Sequence, residues 1–236
     1  REVGQPVERG RVLHRAAAII RARAFTLPPM AKIVLHQWEM SPFCNKVRRC
    51  LAHKGLDFEV ENYNGLLARR AAKLSKVGTL PVLDHDGERI WDSTRIAERL
   101  DQLYPARPLL PAAPRARAEV ALWDDWAAQS LYFFELYYRM LEPEAREKAL
   151  DLICAGRPRW ERAATRIYLK MHYPRKLREQ GLARMAPDEV ERRFLAHLEH
   201  LEALLEGRTW LVGDDATLAD HAVVAQLEEL VRTSRH

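Results

Sequence analysis

The four residues Ser41-Pro42-Phe43-Cys44 place a hydroxyl, a helix-starting proline and a thiol within one turn of chain. Serine is a favoured helix N-cap, and proline suits the first helical position, where no N–H is needed. A helix N-terminus carries partial positive charge and spare N–H donors. A hydroxyl at that point can also donate a hydrogen bond to sulfur, which favours the charged form of a thiol. Ser41 is therefore the first catalytic candidate, as a residue that holds a thiolate. Cys44 is the second. A thiolate is a nucleophile, yet one turn into a helix a thiol is usually buried and inert, so a redox role and a packing role both stay open for it. Cys50 reads as a packing residue. His197 and His200 stand three apart on a helix, a spacing that admits a metal, but Glu199 and Glu202 beside them mark a solvated face and no metal site is expected. Arg48 and Arg49 suit ion pairs between domains better than substrate binding. His221 reads as a local substitution where an apolar residue is more usual.

These candidates need elements to position them. Residues 31 to 36 read as a short buried strand. The helix opened by Ser41 runs to His53, and Gly55 ends it. Residues 57 to 62 alternate as a second strand, and a basic, Ala-rich helix is expected over 66 to 74. Asp86-Gly87 between two short apolar runs signals a hairpin. Pro81 cannot sit mid-ladder, so it marks the start or edge of its strand. Asp92-Ser93 caps a further helix with Ile96, Leu100 and Leu103 on one face. Strand, helix, strand, helix, hairpin, helix is the order of a thioredoxin-like unit. Residues 105 to 114 hold four prolines and read as a linker.

Everything after the linker has helical periodicity. One long amphipathic helix is expected over 115 to 141, with Trp123, Trp126, Ser130, Phe134, Tyr137 and Leu141 on one stripe. Further helices are expected near 143 to 155 and 158 to 180, and from Pro187 to Gly207. The last begins with the capping box Thr217-Leu218-Ala219-Asp220. Residues 123 to 138 hold seven of the chain's 19 aromatics. They cannot all face one way on a helix, so some must line a groove or a partner contact.

The bulk properties exclude several classes. The chain has 236 residues, 47% hydrophobic and 30% charged, ordinary values for a folded protein with a sizeable core. No apolar run approaches the roughly 18 residues of a membrane span. Of the net charge of +5, residues 1–29 supply +4 through six arginines and two glutamates. A phosphate-tracking surface would spread its cations over the fold, so nucleic acid is not an expected partner. Three cysteines form neither a disulfide framework nor a zinc spacing and point to a reducing compartment, the cytoplasm. Residues 1–29 are expected to be an upstream leader or non-native extension, disordered, with the domain starting near Met30.

Together, Ser41-Pro42-Phe43-Cys44 with Lys46-Val47-Arg48, Leu80-Pro81-Val82-Leu83, Asp92-Ser93 with Ile96 and Leu100-Asp101, Tyr104-Pro105 with Leu109-Leu110-Pro111, and Trp210-Leu211-Val212-Gly213-Asp214 before Thr217-Leu218-Ala219-Asp220 resemble the cytosolic glutathione S-transferase family, in its bacterial type with serine at the catalytic position. The resemblance runs from about Met30 to the C-terminus. Over roughly 142 to 185 it extends only to helical character. It implies an α/β plus all-α architecture: a thioredoxin-like glutathione-binding domain over 30–106, a linker over 107–114 and a C-terminal helical bundle domain over 115–236, which more chain would normally follow.

It also implies a cis peptide before Pro81, a backbone pairing of Leu80 with the cysteinyl part of glutathione, and the γ-glutamyl end held by Asp92 and Ser93. The glutathione sulfur is placed beside Ser41, with Phe43 and Thr79 completing the binding set. Many relatives carry a basic residue where Thr79 stands, and Glu where Asp92 stands. The acceptor pocket borders the long helix, with Trp126 and Tyr137 as its candidates. Glutaredoxin-like sites put a reactive cysteine first and a second three residues on, whereas here Ser41 is first and Cys44 second.

The expected activity is conjugation of the glutathione thiolate to small hydrophobic electrophiles, as in detoxification. Glutathione enters as co-substrate, with no separate cofactor, and a homodimer and no membrane are expected. The alternatives are a glutathione-dependent thiol oxidoreductase using Cys44 and a non-enzymatic binding protein on the same fold.

Overall fold

The computed structural model describes residues 31–234; the expectations for residues 1–29 and for the end of the chain lie outside the described residues. Residues from Ile33 onward belong to one compact unit. Its first part follows the expected order. Strand β1 (Ile33–Gln37) leads to helix α1 (Pro42–Lys54), strand β2 (Glu59–Asn62), a 3₁₀ turn (Gly65–Leu67), a single helical turn α2 (Ala68–Ala71), strands β3 (Val82–His85) and β4 (Glu88–Trp91), and helix α3 (Ser93–Leu103). The sheet order is β2-β1-β3-β4. β1 pairs parallel with β2 and antiparallel with β3, and β3 pairs antiparallel with β4.

Local chemistry explains most of these bounds. Pro42 opens α1, and Gly55, at φ 68°, closes it with its N–H on the Ala52 and Leu51 carbonyls. Asp86 (φ 48°) and Gly87 (φ 88°) form the two-residue hairpin turn, whose paired positive φ values match the twist of the flanking strands. The helix expected over 66 to 74 is shorter, a 3₁₀ turn and one helical turn. Gly65 is pinned at φ 56°, and a Cβ there would fall 2.6 Å from Glu161 Oε2, so the close approach of another helix sets where this segment starts.

The second part is helical: α4 (Pro114–Trp126), a π-helical turn (Ala127–Leu131), α5 (Tyr132–Leu141), α6 (Pro143–Ile153), α7 (Arg159–Gln180), a 3₁₀ turn (Leu182–Arg184), α8 (Pro187–Leu205) and α9 (Leu218–Thr233). The single helix expected over 115 to 141 is thus interrupted by a π turn. The capping box forms: the Thr217 N–H and hydroxyl both donate to Asp220 Oδ2, at 2.8 and 2.9 Å, while Leu211 N–H donates to Oδ1 at 2.9 Å.

One apolar cluster joins the two parts, with Met40 packed among Leu136, Met140, Leu150, Ile153, Leu169 and Leu177. Polar links reinforce it. The Lys46 ammonium, on α1, meets Asp124 of α4 at 2.7 Å, and Thr94 of α3 donates to the other oxygen of Asp124 at 2.5 Å. Arg49 pairs with Glu228 at 2.6 Å, and Arg48 lies 3.6 Å from Glu229, both on α9. The two arginines therefore serve the contact between α1 and α9. His221 is buried edge-on against His53, ring centroids 5.0 Å apart.

Candidate functional site

The N-terminus of α1 opens onto a cleft of about 460 Å³. Ser41 caps the helix from extended backbone, and its Oγ accepts the Cys44 N–H at 3.4 Å. A hydroxyl that accepts keeps its own proton to donate, so Ser41 can cap α1 and still address an anion in the cleft. Phe43 lies on the cleft wall beside it.

The opposite rim comes from the segment before β3. The Leu80–Pro81 peptide is cis. The β1–β3 ladder begins at Val82, so the backbone polar groups of Leu80 are not used by the sheet. Thr79 is exposed, and its N–H donates to Ser75 Oγ at 3.3 Å. Asp92 stands at φ 75°, ψ 126°, a left-sided conformation that costs of order 1 kcal/mol outside glycine. The strained cap lets Asp92 Oδ1 accept both Thr94 N–H (3.0 Å) and Arg95 N–H (3.1 Å), leaving Oδ2 for a ligand. Ser93, the first residue of α3, is buried beside it. Ser41, Phe43, Thr79, Leu80, Pro81, Asp92 and Ser93 thus line one cleft, although they come from three separate stretches of sequence.

Cys44 is fully buried. Desolvation pushes its thiol up to about 11, against a weaker opposing effect of the Ser41 hydroxyl. A thiol in that state has almost no thiolate at neutral pH. Burial raises Cys50 as well, to about 12.

The two acceptor-pocket candidates are not brought to this cleft. Trp126 packs edge-on against Trp123 and His197, at 5.5 Å from each. It lines a separate apolar groove of about 360 Å³ with Leu201 and Leu204. His197 and His200 line that same groove, so they are not on a purely solvated face. Tyr137 is half-buried, edge-on to Tyr138 at 5.4 Å, and packs against the Met40 cluster. Between them the π turn adds a residue to one turn and rotates α5 relative to α4. Tyr132, the first residue after it, faces the cleft instead, its ring 5.1 Å from Phe43. Tyr137 lies five residues on, well round the helix from Tyr132.

Four large polar or aromatic cleft residues were not among the sequence candidates: Trp38, Arg139, Tyr173 and Lys176. Arg139 donates to the Met40 carbonyl at 2.6 Å and pairs with Glu135 at 2.9 Å. Burial raises the Glu135 carboxyl to about 7, with the Arg139 charge opposing the rise. The Lys176 ammonium stands 5.2 Å from the centre of the Tyr132 ring and 3.4 Å from its hydroxyl. Tyr132 with Arg139, and Tyr173 with Lys176, share helix faces at spacings of seven and three. That pattern was readable, but which face met the cleft was not.

Among the described residues no group of three or more His, Cys, Asp or Glu is arranged to hold a metal ion, and no helix is long and apolar enough to cross a membrane.

Two family models match the chain: "Glutathione S-transferase, N-terminal domain" over residues 35–108 and "Glutathione S-transferase, C-terminal domain" over 164–234. A curated glutathione S-transferase of Pseudomonas putida is 30% identical over 129 residues, 52% of this chain and 59% of the relative. The chain spans about half the length of other curated relatives it matches. Among solved structures, a glutathione S-transferase of Rhodospirillum rubrum F11 is 27% identical with a TM-score of 0.57, covering 84% of this chain and 77% of that one. A glutathione S-transferase of Methylobacillus flagellatus, solved with glutathione bound, is 25% identical with a TM-score of 0.55, covering 85% and 83%.

Proposed function

The chain belongs to the glutathione S-transferase family, with both its N-terminal and C-terminal domains, and on that premise we propose that it binds glutathione and transfers the thiolate to a small hydrophobic electrophile through Ser41. The observation that carries this is the placement of the Ser41 hydroxyl at the start of α1, facing a cleft whose far rim offers the Leu80 backbone and the Asp92 carboxylate.

The γ-glutamyl end, with its ammonium, lies against Asp92 and Ser93. The cysteinyl backbone pairs with Leu80 beside Pro81, and Thr79 and Phe43 flank the tripeptide. This sets the sulfur at the N-terminus of α1. A free thiol titrates near ~8.5 and is mostly protonated at neutral pH. The Ser41 hydroxyl and the helix dipole favour the anion. The thiolate then attacks the electrophilic carbon, a sulfur–carbon bond forms, and the leaving group departs with the electron pair of its bond. Aromatic walls from Phe43, Tyr132 and Tyr173 suit a flat apolar acceptor. The work is divided between a glutathione-binding domain over 30–106 and a helical domain over 115–236. A reducing, cytoplasmic setting fits three free, buried cysteines, and the homodimer rests on the family alone.

The test is glutathione binding by calorimetry followed by turnover of chlorodinitrobenzene by the full chain, with Ser41→Ala and Cys44→Ala in parallel. Loss of activity in Ser41→Ala, with Cys44→Ala active, is expected. Loss only in Cys44→Ala would move the reading to thiol redox chemistry. No affinity for glutathione at millimolar concentration would leave a binding protein on the same scaffold.

A further inference from the structure

We propose that the helical side of the cleft selects an electrophile carrying a carboxylate, and that Lys176 is the residue that reads it. This rests on the transferase activity proposed for the same cleft and names the class of its second substrate. Starting from Ser41, the cleft wall continues through Phe43 to Tyr132, whose rings are 5.1 Å apart. Lys176 lies beyond, its ammonium 3.4 Å from the Tyr132 hydroxyl and over the Tyr132 and Phe133 rings at 5.2 and 5.9 Å. The cation therefore belongs to the helical wall of the cleft that holds Ser41 and Asp92.

Its charge is not neutralised by any described residue. No carboxylate pairs with Lys176 among the described residues; the near neighbour Glu179 is taken by Arg175 at 2.7 Å. Arg139 differs, since Glu135 and the Met40 carbonyl occupy it. Among the described residues, Trp38 Nε1, Arg139 Nε and both Glu135 carboxylate oxygens are buried without a hydrogen-bond partner, so they lie behind the cleft wall and Lys176 is the cation that the wall presents. A half-buried ammonium held over aromatic faces is partly desolvated. This side of the cleft sets one cation without a carboxylate partner among aromatic walls. It fits a planar electrophile with an anionic oxygen group better than a purely apolar one.

The test compares chlorodinitrobenzene with chlorodinitrobenzoate, which differ by one carboxylate. In both, the glutathione sulfur bonds to the ring carbon and chloride leaves. In the full chain, Lys176→Met is expected to raise KM for the benzoate about tenfold, the scale of one charged hydrogen bond. KM for chlorodinitrobenzene and for glutathione should stay unchanged, and Lys176→Arg should restore the benzoate. Equal effects on both acceptors, or none, would overturn the proposal. A rise in glutathione KM instead would assign Lys176 to a carboxylate of the tripeptide and overturn it too. If neither acceptor is turned over, the transferase reading fails separately. Calorimetry with unreactive dinitrobenzoate and dinitrobenzene then decides: binding of the benzoate that Lys176→Met weakens supports the carboxylate site, and equal binding of both compounds removes it.

Discussion

At the scale of single residues, the cleft depends on groups that are used twice. Ser41 caps α1 and also points chemistry at the ligand; Asp92 caps α3 and keeps one oxygen free. Ser41→Ala is expected to reduce kcat/KM for conjugation by about tenfold to a hundredfold, the worth of a hydrogen bond to a charged group. Circular dichroism should show α1 intact, since losing one N-cap costs only about 1 kcal/mol. Burial lowers the His221 imidazole to about 4, with His53 and Arg49 adding to the shift. An unfolded histidine titrates near ~6.5. Between these values the unfolded chain binds more protons at His221, so this residue's contribution is present above pH ~6.5 and is lost as pH falls toward ~4. Glu135, raised to about 7, acts with the opposite sign, its contribution lost as pH rises through about 7. The difference between wild type and His221→Leu isolates the histidine. It should change by about 3 kcal/mol over that acid window in chemical denaturation at stepped pH, and a flat difference would refute the assignment.

At the scale of elements, the π turn Ala127–Leu131 decides which aromatics reach the site. Its sequence, Ala-Ala-Gln-Ser-Leu, has no proline or glycine, so nothing local announces a widened turn. Packing imposes it. Reading 115 to 141 as a regular helix therefore carried the pocket candidates to Trp126 and Tyr137, away from the cleft. Deleting Gln129 would restore an ordinary turn and swing Tyr132 by about 100°. Such a variant should keep its helical content and glutathione affinity but lose most acceptor turnover, with KM for the acceptor rising. Where the sequence carries punctuation, the elements were legible. Pro42 and Gly55 bound α1, Asp86-Gly87 turns the hairpin, and Thr217 with Asp220 opens α9. The start of the segment at Gly65 was not, because it meets Glu161, contributed from 95 residues further along.

At the scale of the molecule, the element order and the proline-rich connection were enough to read a thioredoxin-like unit followed by helices, since both are local signals. The helical wall of the cleft was not readable. Arg139 meets Met40 across 99 residues of chain, a pairing that only the packed fold creates. The buried Lys46–Asp124–Thr94 group ties α1, α3 and α4 together. Asp124→Asn would leave the Lys46 charge buried and uncompensated, a loss of about 3–5 kcal/mol. Urea unfolding should show it, and replacing Lys46 and Asp124 together by Met and Leu should recover most of it.

All of this converges on the state of one sulfur atom. The most direct measurement is the pKa of the thiol of glutathione bound to the full chain, followed by thiolate absorbance in the ultraviolet, in wild type and in Ser41→Ala. The expected value in the wild type is at least about one unit below the ~8.5 of a free thiol, with a return toward that value in Ser41→Ala. A bound thiol that keeps its ordinary pKa in both proteins would contradict it.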